Sequence, residues 1–316
     1  MFIVKTQLLG RGPLSSSRLV YGTAGVAGPW DRPLAPERRA AGQAAILAAV
    51  DAGFTHLDSA DIYCHGASES IIGETLRQSP GLRDRLILTT KCGVRCAGDG
   101  GPRAPYRYDF SAAHILASCD GSLARLGTDH IDLYLLHRPD VLMNPPEIAQ
   151  AFDRLQRAGK VRHFGVSNFS PTQLAMLQTY LHMPLLAHQV EIHPGRLDPF
   201  TDGTLDQCLG RGITPMAWSA LGRGWFGDGA QVDAVHPRHD LLANLLATID
   251  EVAGRMGVSR SVLTLAWLLM HPSAILPVIG STRPERIAAA VQADSVVLSR
   301  EDWYRVYIAA RGQALP

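Results

Sequence analysis

Short runs of almost wholly apolar residues alternate with longer amphipathic stretches along nearly the whole chain. Runs such as LILTT (Leu86 to Thr90) and IDLYLL (Ile131 to Leu136) lack the in-and-out alternation of a sheet with one wet face. They have the pattern of parallel strands buried on both sides. Eight segments are predicted as strands: Arg18 to Gly22, Thr55 to Asp58, Leu86 to Lys91, His130 to His137, His163 to Ser167, Ala187 to Glu191, Thr214 to Ser219 and Leu276 to Gly280. The helices between them carry end signals. Ser170, Pro171 and Gln173 form a capping box with proline at the first helical position, because the Ser hydroxyl and Gln amide satisfy end amides and proline lacks one. Thr282 and Glu285 repeat the box before a later helix, and Gly53, Gly127 and Gly159 stand where a left-handed C-terminal cap favours glycine.

Strand and helix alternate without a Pro/Ser-rich linker, which predicts one α/β domain over residues 1–316. Eight units favour a closed (β/α)8 TIM barrel over an open sheet. The segment before Arg18 holds a short strand-like piece, expected to cap one end of the barrel. Two stretches rich in Gly and turn residues break the rhythm, Gly93 to Phe110 and Leu221 to Pro237. Long loops in compact domains are usually functional, so both are candidate lids. The longest apolar run, Val262 to Met270, contains Thr264 and is followed by His271 and Pro272. A bilayer span needs roughly 18 apolar residues, so no membrane segment is expected.

The chain is 46% hydrophobic and 19% charged, the balance of a globular protein with ample core. Its net charge of +1, with no Lys/Arg stripe, lacks the footprint of a nucleic-acid binder, and a small-molecule partner is expected. Five scattered cysteines fit reduced thiols better than a disulfide framework. The N-terminal MFIVKTQLLGRG has no signal-peptide pattern. The expected location is the cytoplasm.

Polar residues mark the C-terminal ends of successive strands: Asp58, Lys91, His137, Asn168, Gln189 and Ser219. Singly, each has an ordinary reading as a helix cap, a solvated charge or a satisfied hydrogen-bonding group. In a barrel, however, those ends converge on the face where active sites are built. Together with Tyr63 they offer an acid, a cation, an imidazole and a phenol. Such a group suits proton donation to a carbonyl oxygen during reduction. The phenol, with an ordinary pKa of roughly 10, needs a nearby cation to become a better acid. Lys91 supplies that charge, Asp58 positions the ammonium, and His137 donates to the substrate oxygen.

With these residues in place, the chain resembles the aldo-keto reductase superfamily, and specifically its bacterial YdhF-like branch. The matching segments are DSADIY (Asp58 to Tyr63), TTKCG (Thr89 to Gly93), LYLLHRPD (Leu133 to Asp140), GKVRHFGVSNFS (Gly159 to Ser170), HQVEIHP (His188 to Pro194), PMAWSALG (Pro215 to Gly222) and PVIGSTRPERI (Pro277 to Ile287). The resemblance implies NADPH-dependent reduction of an aldehyde or ketone by a catalytic tetrad of Asp58, Tyr63, Lys91 and His137. It implies a nicotinamide cofactor extended across the barrel mouth, its carboxamide held by Ser167, Asn168 and Gln189 and its ring stacked on Trp218. Further cofactor contacts are implied at Gly22, Thr23, Ala24, Asp58, Ser219, Ala220, Leu221, Gly222, Gly280, Ser281 and Thr282. Arg283 and Arg286, beside a helix N-terminus, suit a 2'-phosphate, so NADPH is preferred over NADH. Where many members carry Glu and Asn against adenine, this chain has Ala289 and Ala290.

Other features carry less. Gly222, Gly224 and Gly227 spell GxGxxG, but no βαβ unit surrounds them. Cys92 and Cys96, or His188 and His193 near Glu191, lack a second pair at metal-site spacing, and no metal is expected. Trp30, Tyr106, Tyr108, Trp225 and Phe226 fall in loops after strands, where they line the substrate pocket or anchor the surface. In the family that the chain resembles, narrowly specific members often wall the pocket with a longer tail, so the short tail here, ending at Pro316, is expected to leave the pocket open on that side. Two other readings remain, a non-catalytic NADPH-binding sensor or regulatory subunit and, on the fold and 12 histidines alone, a metal-dependent barrel hydrolase.

Overall fold

Each of the eight apolar runs forms a strand in the computed structural model, which describes residues 4–30, 34–233 and 235–316. The strands are β1 (Val20–Gly22), β2 (His56–Asp58), β3 (Ile87–Cys92), β4 (Ile131–Leu136), β5 (Val161–Ser167), β6 (Leu185–Glu191), β7 (Thr214–Trp218) and β8 (Leu276–Ile279). They pair in parallel in chain order, and β8 closes onto β1 through Val278 opposite Val20 and Ile279 opposite Tyr21. The expected (β/α)8 barrel is therefore the observed one.

Around the barrel run α1 (Pro36–Asp51), α2 (Ala67–Gln78), α3 (Ala112–Leu126), α4 (Pro145–Arg157), α5 (Pro171–Gln178) and α6 (Thr204–Arg211). Two helices, α7 (His239–Met256) and α8 (Arg260–Leu269), separate β7 from β8, and α9 (Pro284–Ala290) and α10 (Arg300–Arg311) follow β8. The apolar run from Val262 lies largely in α8, whose residues from Val262 to Leu269 are all buried. No helix among the described residues is long and apolar enough to cross a membrane.

Strand alternation sorts side chains between two cores. Leu88 and Cys92 of β3 face the helices, with Phe152 stacked on Phe164 at 3.9 Å between α4 and β5. Inside the barrel, Val20, Ile87, Leu133, Leu135, Leu186, Met216 and Leu276 form a second cluster. Leu9 completes it from below, carried by a hairpin that pairs Thr6–Leu8 with Ser15–Ser17. That hairpin is the expected N-terminal cap. It closes the bottom, so only the C-terminal mouth stays open.

The Ser170 box is present in full, and Gly53, Gly127 and Gly159 all have positive φ at helix ends. The Thr282 box is not. Pro284 takes the first position of α9, which makes Arg283 the cap residue and leaves Thr282 one position too early. Ser281 Oγ instead accepts from the Arg283 amide at 3.2 Å. Of the two candidate lids, Gly93 to Phe110 folds as a small hairpin pairing Val94–Arg95 with Arg107–Tyr108. Leu221 to Pro237, apart from Ala234 outside the described residues, is a chain of turns. Arg260 holds it through the Gly227 and Ala230 carbonyls and is itself fixed by both oxygens of Asp250.

Candidate active site

The inward positions of β3 read Ile87, Thr89, Lys91, and those of β4 continue Leu133, Leu135, His137, so the last of each series rises from the apolar layer to the mouth. Lys91 is completely buried, and its three ammonium hydrogens have three acceptors. Nζ donates to Asp58 Oδ2 at 2.8 Å, to the Ser59 carbonyl at 2.6 Å and to the Tyr63 hydroxyl at 3.2 Å. The other Asp58 oxygen accepts from Gln189 Nε2 at 2.9 Å. The His137 ring meets the Tyr63 ring edge-on, with centroids 5.8 Å apart. The four residues of the expected tetrad are thus one contiguous group.

Charge and burial set their protonation. Burial alone would lower the Lys91 pKa, but Asp58 and Tyr63 outweigh it and the ammonium is held above its ordinary value. Burial pushes the Tyr63 phenol up, and Lys91, pulling it down, does not overcome that. This corrects the expectation that Lys91 leaves the phenol more acidic than usual. Tyr63 therefore keeps its proton at neutral pH. Because Lys91 donates to the phenol oxygen, the phenol hydrogen is free to point into the cavity. Burial first, then Lys91 and Arg138, hold the His137 imidazole well below its ordinary pKa, so it is neutral. Its Nδ1 is buried without a partner, while the ring lines the cavity.

The cavity above this group measures about 1180 Å³. Pockets for drug-sized ligands run up to about 1,000 Å³, and this one exceeds that. Of the expected cofactor residues, Gly22, Ala24, Asp58, Ser167, Asn168, Gln189, Trp218, Ser219, Ala220, Leu221, Gly280, Ser281 and Arg286 line it. Four do not. Thr23 is buried with its hydroxyl on the Asp58 carbonyl, Thr282 and Arg283 are exposed off the wall, and Gly222 sits beneath it. At Gly222, φ is +56° and a Cβ would meet the Phe226 ring at 2.7 Å, so glycine there serves the turn.

Ser167, Asn168 and Trp218 form a wired edge. Asn168, at φ +61°, donates to Ser167 Oγ and the His137 carbonyl and accepts from Trp218 Nε1 at 2.9 Å. The Trp218 ring, expected to stack on a nicotinamide, has the Arg138 guanidinium 5.3 Å from its centroid. Trp30 and Tyr106 line the cavity, whereas Tyr108, Trp225 and Phe226 do not. Residues the sequence reading gave no role also line it: Arg138, Asp228 in the β7 loop, and Ser261, Val262 and Leu265 of α8. Leu265 was hidden inside an apolar run, and Arg138 lay in plain view beside His137. None of the described residues after Ala290 is on the wall. Among the described residues, no three His, Cys, Asp or Glu side chains are grouped to hold a metal.

Known proteins resemble this chain in sequence and fold. The model of the aldo/keto reductase family matches residues 18–310. A 6-dehydroglucose reductase of Novosphingobium aromaticivorans is 44% identical over 277 residues, covering 86% of each chain. The oxidoreductase YdhF of Escherichia coli is 42% identical over 84% of this chain and 86% of its own, which supports the YdhF-like branch. A thermostable aldo-keto reductase solved with the inhibitor epalrestat superposes with a TM-score of 0.81 at 26% identity, over 96% of this chain and 99% of that one. On the fold, the barrel-mouth group and the full-length match together, this chain is an oxidoreductase that belongs to the aldo/keto reductase family.

Proposed function

We propose that the chain reduces a small aldehyde or ketone to an alcohol with NADPH, Tyr63 donating the proton. The observation that carries this reading is the Tyr63 hydroxyl, accepting from the buried Lys91 ammonium at 3.2 Å on the wall of a cavity that His137 also lines. NADPH, when bound, would supply the hydride for the carbonyl carbon. Tyr63 gives its proton to the carbonyl oxygen, and the ammonium of Lys91 faces the resulting phenolate. Asp58 holds that ammonium in place, and His137 orients the carbonyl by donating to its oxygen. Gln189, steadied on Asp58, and Ser167 with Asn168 hold the cofactor's amide.

At the far end, Arg286 lines the cavity and makes no ion pair with a described residue, which suits a phosphate. Arg283 is off the wall, so we assign the 2'-phosphate to Arg286. Ala289 and Ala290 leave adenine only apolar contact. We place the activity in the cytoplasm, on the unpaired, scattered cysteines.

Nucleotide oxidation with a panel of small aldehydes tests the reading. Turnover with NADPH, and a KM for NADH at least about tenfold higher that converges on that for NADPH in Arg286→Ala, is expected. Tight NADPH binding with no turnover on any aldehyde would favour a non-catalytic nucleotide sensor instead.

A further inference from the structure

Of the cations lining the cavity, Arg138, Arg223 and Arg286 make no ion pair with a described residue, and Arg138 is the one beside His137. Lys91 is matched by Asp58, but Arg138, the residue after His137, forms no hydrogen bond or ion pair with a described residue. It is half-buried in the cavity wall, its guanidinium carbon over the Trp218 ring in a cation–π contact at 5.3 Å. Its charge reaches both His137 and Tyr63, lowering the proton affinity of each, so it stands beside the reacting groups. Trp218 is in turn fixed by its N–H on Asn168, which makes the platform rigid.

The hydrogen-bonding capacity of the chamber is lopsided. Both Asp58 oxygens are engaged by Lys91 and Gln189, and Asn168 Oδ1 by Trp218. The Tyr63 hydroxyl is left as a donor, and it and His137 are taken up by the carbonyl. Beside the reacting groups, the guanidinium of Arg138 remains, a donor-only fork of five N–H bonds shaped for two adjacent oxygens. Stacking on an indole leaves the in-plane N–H edge of a guanidinium open. A half-buried cation without a partner costs free energy that a ligand's oxygens restore.

We propose that Arg138 is a specificity-determining residue, selecting carbonyl substrates that carry two neighbouring acceptor oxygens, a vicinal diol or a carboxylate, near the reacting carbonyl. The inference rests on the reductase reading above. It assigns the substrate's second recognition point to the β4 loop and the Trp218 indole.

Matched aldehydes test it with NADPH as reductant: glyceraldehyde against propanal for the diol, and succinic semialdehyde against butanal for the carboxylate. In at least one pair the wild type is expected to favour the oxygenated member, and Arg138→Met to lower that kcat/KM ratio by about tenfold or more, chiefly through KM, the worth of a charge-assisted hydrogen bond. Collapse in the first pair identifies a diol, and collapse in the second, partly rescued by Arg138→Lys, a carboxylate. Ratios that Arg138→Met leaves unchanged, or an equal fall for all four aldehydes, would overturn the proposal. Wild-type turnover of propanal or butanal keeps the reductase reading standing whichever way the ratios move. Absence of turnover with all four overturns both.

Discussion

Lys91 reaches Asp58, the Ser59 carbonyl and Tyr63 together from one side chain. Both members of the Lys91–Asp58 pair are essentially excluded from solvent. Removing one charge from such a pair strands the other, at a cost of about 3–5 kcal/mol. Lys91→Met should therefore lower denaturant stability by about that amount, whereas Asp58→Asn with Lys91→Met should regain most of it and remain inactive. Equal destabilisation of the single and double variants would show that the pair is not coupled. Tyr63, in the turn after β2, was placed with them by the family resemblance, whereas Asp58 and Lys91 could be found in the sequence because each is polar at the end of an apolar strand. Arg138 has the same position and was passed over, since an arginine reads as a solvated charge until the surrounding elements show that no acid faces it. The Tyr63 pKa was misjudged for a related reason: Lys91 was visible in the chain, and the burial that opposes it was not.

Among the elements, strands were the easiest to read, because burial on both faces leaves an uninterrupted apolar run and pairing fixes its length. Helix ends depended on register. The Ser170 box was readable because Pro171 follows the cap directly, and the Thr282 box failed because Pro284 sets the cap at Arg283. The lids were legible as breaks in rhythm, yet what ties them down was not. The loop after β7 is held by Arg260 and by the Ser261 amide on Asp228, both from the start of α8. Since Gly224, Gly227, Asp228 and Ala230 of that loop line the cavity, Arg260→Ala should free the loop and speed NADPH dissociation several-fold in stopped-flow measurements. An unchanged dissociation rate would mean that the loop does not cover the nucleotide.

Taken whole, the molecule buries several histidines as neutral groups. Burial lowers His56 to about 3, and His188 and His193 to about 4, with His137 also held well down. In the unfolded chain these titrate near 6.5. As pH falls below that value, the unfolded state takes up protons that the folded state refuses, so stability falls, by up to about 1.4 kcal/mol per pH unit for each such histidine. Asp61, raised by burial and by Glu69 to about 7, acts in the opposite sense between its ordinary value and 7. One carboxyl does not offset the histidines. Thermal unfolding scans should accordingly show Tm falling between pH 6.5 and 4, and a flat profile there would mean these histidines accept protons in the fold. The same burial leaves the Tyr63 hydrogen as the mobile proton at the barrel mouth, and the most direct measurement is single-turnover NADPH oxidation by wild type and Tyr63→Phe at saturating nucleotide. The account predicts unchanged nucleotide affinity with hydride transfer slowed by about 10²-fold or more; equal rates for the two proteins would contradict it.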